Sequence, residues 1–181
     1  KNPLCKICRT IFLAFFMVGV NIGEGTAETI DRIVSLGCEI GNHTYEHPNL
    51  TNLTPSEISA QISDTDRHVM TATGHNSTLL RPPYGSYDDI VKDIAGKPLV
   101  LWNVDTRDWD TRDKDSTVAA ILDTVEDGDI VLMHDIYEST AQAVIEVVPI
   151  LLDRGYQLVT VSEIAEYRGG MHNGGAYYVQ T

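Results

Sequence analysis

Positive charge is scarce in this chain. Its 181 residues hold 13 Lys and Arg against 26 Asp and Glu, a formal net charge of −13 with a pI near 4.6. Nucleic acids and anionic membranes are bound through cationic patches, so this balance argues against both as partners. Long apolar runs are missing too. The stretch Ile11 to Val20 is too short to span a bilayer. Lys1, Lys6 and Arg9 precede it as in a signal peptide, but no small-residue cleavage site comes after it, and the run reads as structural. Cysteine is sparse. Cys5 and Cys8 form a C-x-x-C, which on its own is a redox pair or half a zinc site; no second pair completes it, and Cys38 reads as core. No repeat, low-complexity block or linker breaks the chain, whose length suits one domain.

What is present concentrates at the ends of apolar segments. Gly41-Asn42-His43-Thr44-Tyr45-Glu46-His47-Pro48 follows the short apolar run Cys38-Glu39-Ile40, which reads as a buried strand. Two imidazoles four residues apart at a strand end can reach one divalent cation. Taken alone, the pair equally suits ordinary surface or capping histidines. Leu80-Arg81-Pro82-Pro83-Tyr84-Gly85 reads as a rigid loop that fixes Arg81 and Tyr84 in place. The segment Pro98 to Val104 reads as a strand that ends in Asp105, Asp108 and Trp109; Asp129 to Met133 reads as another, ending in His134. Gly155 to Val161 reads as a further strand with no chemistry at its end. Helices are expected over Gly25–Leu36, from the Thr54-Pro55-Ser56-Glu57 capping signature to Thr73, and over Tyr87–Ile94, Thr117–Val125, Ala141–Asp153 and Ser162–Tyr167. Alternating strands and helices imply a parallel sheet or barrel, and reactive groups on such folds gather at the carboxyl ends of the strands.

In order and spacing these residues resemble the polysaccharide deacetylases of carbohydrate esterase family 4, the NodB homology domain. His43-Thr44-Tyr45-Glu46-His47 resembles the family's H-[S/T]-x-x-H motif, and Arg81-Pro82-Pro83-Tyr84 its R-x-P-Y motif. Asp105-Thr106-Arg107-Asp108-Trp109 resembles D-x-x-D-W, and Leu132-Met133-His134 resembles L-x-H. The resemblance implies an α/β fold, a distorted (β/α)7/8 barrel, lacking here its first strand. It divides the chain into an atypical N-terminal segment (1–14), the polysaccharide deacetylase domain (15–168) and a flexible tail (169–181), in which His172 is no ligand.

The resemblance also implies roles. His43 and His47 would hold a divalent metal, zinc first, with cobalt or nickel as alternatives. Arg81 would orient the catalytic base, and the Tyr84 N–H would help hold the oxyanion. Trp109 and Leu132 would wall the acetyl pocket. His134 would be the general acid, tuned by Asp108. The implied reaction is metal-dependent deacetylation of a polysaccharide containing N-acetylglucosamine, of the peptidoglycan or chitin type, with acetylxylan as the alternative substrate. The expected setting is extracellular or at the cell surface, and the expected state is a monomer. A neutral glycan, met through aromatic and hydrogen-bonding contacts, also suits the acidic composition.

The chain departs from the family in one respect. The T-F-D-D-G-P motif, which supplies the base and the third metal ligand, is absent, and Lys1 to Ala14 contain no Asp or Glu. A fragment or an altered gene start is the favoured explanation, since the later motifs are intact. The others are a non-catalytic glycan-binding relative and a substitute carboxylate from Asp105, Asp108 or Asp135. Without a base, roughly 10²–10⁴ in rate is forfeited.

Overall fold

The computed structural model describes residues 11–179. Cys5, Cys8 and most of the segment 1–14 lie outside that range. In chain order the elements are β1 (Ala14–Met17), α1 (Ala27–Ser35), β2 (Glu39–Asn42), α2 (Pro55–Thr73), α3 (Asp89–Ala95), β3 (Leu99–Val100), β4 (Val104–Asp105), α4 (Asp108–Thr111), α5 (Lys114–Leu122), β5 (Val131–Leu132), α6 (Glu138–Asp153), α7 (Val161–Tyr167) and β6 (Ala176–Tyr177). They fall into two compact units. The first comprises residues 12–101 and 160–177, and the second is built around residues 102–159.

The first unit is a parallel ladder. β1 pairs with β2 from Ala14 opposite Glu39 to Met17 opposite Asn42. Leu80 extends the ladder as a single residue, bridging Asn42 on one side and Leu99 on the other. β3 then pairs in parallel with β6. The Asn42 N–H donates to Leu79 O and the Arg81 N–H to Asn42 O, both at 2.9 Å; the Val100 N–H donates to Leu80 O at 2.8 Å. Leu80, Leu99 and Val100 have no exposed surface, as expected of parallel strands covered on both faces. Parallel neighbours need crossover connections, and α1 and α2 supply them. Ile30 of α1 and Val69 of α2 close over Ile22 against Met17 and Ile40. Both ends of α2 are set by the local sequence. Thr54 and Glu57 form a reciprocal capping box with Pro55 in the first turn, and Gly74 ends the helix at φ 73°.

The second unit pairs β4 with β5 in parallel, Val104 opposite Val131 and Asp105 opposite Leu132. Its core joins Ile121 of α5 to Val147 and Leu151 of α6. Lys114 of α5 reaches Glu146 of α6 at 2.6 Å.

Two expectations are corrected. Pro98 to Val104 is not one strand: β3 stops at Val100, β4 starts at Val104, and the two belong to different units. Gly155 to Val161 forms no strand with any of the described residues. Its Tyr156 and Leu158 side chains pack onto the Ile121 cluster, and Thr160 caps α7. Within 169–181, where the sequence suggests a flexible tail, Ala176–Tyr177 form β6. Mixed helix and strand with parallel pairing are as expected.

The packing on β2 leaves no room for a side chain at Gly41. The Phe16 ring lies where a Gly41 Cβ would be, and the Arg81 guanidinium stacks on that ring, 4.2 Å from its centroid. Gly41→Ala is expected to displace the ring and destabilise the fold by about 1–3 kcal/mol, the cost of overpacking. Urea unfolding of the two proteins measures it, and an unchanged midpoint would contradict this packing.

Candidate active site

In the first unit the site is built on the end of β2. His43 follows the last strand residue, and its N–H donates to Met17 O at 2.9 Å. Its Nδ1 lies 2.6 Å from the Arg81 carbonyl oxygen. A carbonyl only accepts, so Nδ1 carries the hydrogen, and in the neutral ring Nε2 keeps the lone pair. Metal-binding imidazoles are commonly oriented by this kind of contact. The His47 ring stands edge-on to it, with centroids 4.7 Å apart and planes at 73°. Tyr84 meets His47 in turn at 4.9 Å.

The loop between the histidines is strained. Thr44 and His47 adopt φ 65° and 62°. Local bonds hold it: the Thr44 N–H donates to Asn42 Oδ1 at 2.8 Å, and the His47 N–H to Thr44 Oγ1 at 3.1 Å. Gln61 Oε1 on α2 accepts from the N–H groups of Tyr45 and Glu46.

Arg81 is buried below this loop. Its Nε donates to Val100 O at 3.2 Å and its Nη2 to Leu101 O at 3.3 Å. Burial pulls its pKa down to about 10, so it remains cationic at neutral pH.

In the second unit the centre is Asp108, which has no exposed surface. Its Oδ2 accepts from the His134 N–H at 2.6 Å and the Thr140 hydroxyl at 2.8 Å. Its Oδ1 faces His134 Nδ1 at 2.8 Å and accepts from the Trp109 N–H at 3.0 Å. Burial pushes this carboxyl's pKa up, but the bonds from the His134 ring, the His134 N–H and Thr140, with the imidazole's charge, outweigh it, so the net direction is down. With Nδ1 directed at the carboxylate, Nε2 is the ring nitrogen turned away from Asp108. Trp109 is half exposed, whereas Leu132 is buried and its carbonyl accepts from the Thr106 hydroxyl at 2.8 Å. Asp105 Oδ1 accepts from the Arg107 N–H at 2.9 Å, and Asp135 is exposed.

The structure thus groups His43, His47, Arg81 and Tyr84 in the first unit, and Asp108, Trp109, Leu132 and His134 in the second. Two imidazoles suit a divalent transition metal as part of its ligand set. Among the described residues, no third His, Cys, Asp or Glu joins them. Sequence reasoning missed Thr140, Asn42 and Gln61. Their partners lie 32, 24 and 15–16 residues away, and no local pattern reports such pairings.

A family model described as polysaccharide deacetylase matches residues 9–98. A chitooligosaccharide deacetylase of Sinorhizobium fredii is 31% identical over 159 residues, which cover 78% of this chain and 74% of that protein. The chain belongs to the polysaccharide deacetylase family. Peptidoglycan-N-acetylmuramic acid deacetylase PdaC of Bacillus subtilis is 39% identical over 154 residues, 85% of this chain but 33% of that protein. The chain spans about a third of the length of PdaC and of further peptidoglycan deacetylases that it matches. Among solved structures, one described as T48 deacetylase with substrate has a TM-score of 0.88 at 38% identity, covering 93% of this chain and 84% of that one. A family 4 acetyl xylan esterase from Clostridium thermocellum, in complex with cobalt, has a TM-score of 0.88 at 27% identity, covering 94% and 86%. A CE4 family pseudoenzyme from Bacillus anthracis has a TM-score of 0.78 at 31% identity, covering 84% and 55%.

Asp108 gives a pH prediction. Its folded pKa lies below the unfolded value of roughly 3.9, so its stabilisation is complete above that pH and lost as pH falls through the lower, folded value. Asp108→Asn is expected to cost about 2 kcal/mol at pH 7, the scale of one hydrogen bond to a charged group. The gap from wild type should narrow below about pH 4. Urea titrations from pH 7 to pH 3 measure it, and a gap independent of pH would contradict an ionised Asp108.

Proposed function

We propose that this protein removes acetyl groups from a polysaccharide by metal-dependent hydrolysis, with N-acetylglucosamine in peptidoglycan or chitin-type glycans as the substrate. The observation that carries this reading is the His43–His47 pair, with His43 Nδ1 directed at the Arg81 carbonyl. His43 and His47 hold the cation: zinc, with cobalt or nickel as alternatives. When bound, such an ion polarises the acetyl carbonyl and lowers the pKa of water to about 7. The Tyr84 N–H donates to the oxygen that gains charge as water adds to that carbonyl. His134 gives its Nε2 proton to the leaving nitrogen as the C–N bond breaks, releasing acetate and the free amine. Asp108 holds the imidazole for that transfer, Arg81 fixes the His43 ring through its carbonyl oxygen, and Trp109 and Leu132 receive the acetyl methyl. The distorted barrel, a monomeric state and an extracellular or cell-surface setting belong to the same proposal. The extracellular or cell-surface setting is supported by likeness to peptidoglycan and xylan deacetylases. No helix among the described residues is long and apolar enough to cross a membrane.

Acetate release from peptidoglycan, chitin oligomers and acetylxylan, assayed in parallel with added zinc or cobalt, tests the reading. Release from the N-acetylated glycans supports it, and release from acetylxylan alone reassigns the substrate to an ester. His134→Ala is expected to lower release by roughly 10²–10⁴ without changing metal content; equal turnover would overturn the acid role. His43→Ala is expected to lose the metal on desalting, and unchanged stoichiometry would remove His43 from the ligand set.

The likeness to a pseudoenzyme favours a second reading, a glycan-binding relative without catalysis. It predicts saccharide affinity with no acetate released from any of the three polymers.

A further inference from the structure

Asn42 is completely buried at the end of β2, one residue before His43. Its amide is used on both sides. Oδ1 accepts from the Thr44 N–H at 2.8 Å, while Nδ2 donates to Ile62 O at 2.8 Å and to Asp66 Oδ1 at 2.8 Å. Thr44 stands at φ 65° and its hydroxyl caps the His47 N–H. The route from Asn42 to both imidazoles is therefore short.

The amide can occupy the same volume turned by half a turn. It would then present NH₂ to the Thr44 N–H, donor against donor, and the strained loop would lose its anchor. Asp66 discriminates against that state. A carboxylate only accepts, so it admits the NH₂ edge of Asn42 and rejects the oxygen edge. Ile62 O imposes the same preference. Lys97 holds the carboxylate in place: its Nζ lies 2.7 Å from each Asp66 oxygen and donates to Ser77 O at 3.0 Å. Lys97 itself is buried, in the turn before β3. A buried lysine and an acid beneath a strand end are costly to retain for stability alone.

We propose that Asp66 and Lys97 are positioning residues, which lock the Asn42 amide in the one orientation that keeps the His43–His47 loop in its cation-binding conformation. This rests on the reading of His43 and His47 as metal ligands, but its first test does not.

That test is amide hydrogen exchange of Thr44, measured by NMR in the metal-free protein. In Asp66→Ala, exchange is expected to be faster by roughly fivefold or more, one hydrogen bond's worth. Asp64→Asn, a change at an acid on the same helix that pairs with Arg67 rather than Asn42, is expected to leave it unchanged. The second test is cobalt affinity by chelator competition, with the visible spectrum of the bound ion. Asp66→Ala is expected to weaken binding about tenfold and shift the spectrum, the usual effect of removing an outer-shell partner. The near-isosteric Asp66→Asn can still offer an oxygen to Nδ2 and is expected to recover part of both; it also serves if Asp66→Ala does not fold. Wild-type Thr44 protection and cobalt affinity in a variant that merely melts earlier would overturn the proposal. Failure of the wild-type protein to take up cobalt would instead strike the ligand assignment, and Thr44 exchange would still decide the lock.

Discussion

Arg81 joins three strands of the first unit at one point. Its N–H completes the ladder to Asn42, its carbonyl takes the His43 imidazole, and its guanidinium reaches past β3 to the carbonyls of Val100 and Leu101 while stacking on Phe16 of β1. No other residue type fits all of these demands. A lysine has no planar face to lie on Phe16 and no rigid fork to span two carbonyls. Burial still leaves the guanidinium charged, because lowering its pKa to about 10 keeps it well above neutrality. The orientation of the first histidine is therefore bound to the integrity of the sheet, and to the missing side chain of Gly41 that gives Phe16 its place.

The second unit solves a similar problem with a carboxylate. Asp108 is enclosed, and desolvation alone would favour its neutral form. The His134 ring, the His134 N–H and the Thr140 hydroxyl reverse that preference. The same bonds fix which imidazole nitrogen faces inwards. Charge state and ring orientation are thus one property of this cluster, and loss of any donor disturbs both.

Much of this is legible in the sequence. Thr54, Pro55, Glu57 and Gly74 mark the ends of α2 by local chemistry, and the histidines and carboxylates at the ends of apolar runs flag the site loops. The features that escape a sequence reading are set by distant partners. Leu80 looks like part of a loop, yet it is the link between β2 and β3. Gly155 to Val161 has the composition of a strand, but among the described residues no ladder partner takes its backbone, and its Tyr156 and Leu158 side chains serve the α5–α6 core instead. Gln61, Thr140 and the NH₂ edge of Asn42 look unremarkable in isolation because each acts across 15 or more residues of chain.

Backbone strain gives an independent argument for where function lies. Among the described residues, the non-glycine positions with positive φ are Thr44, His47, Tyr84, Arg107 and Arg112. Each costs of order 1–2 kcal/mol relative to relaxed backbone. Thr44 is the least expected, since a β-branched side chain is especially disfavoured there. Such residues persist only where their surroundings over-determine them. Three have visible anchors, as the N–H groups of Thr44, His47 and Arg107 are each taken by a side-chain oxygen two or three residues back. Four of the five lie within the histidine, arginine–proline–tyrosine and aspartate–tryptophan motifs, and Arg112 closes the short helix that begins at Asp108. A fold selected for stability alone would place glycine or asparagine at such turns. Threonine, histidine and tyrosine stand there instead, and at Thr44 and His47 the local side-chain oxygens hold the strained backbone in place.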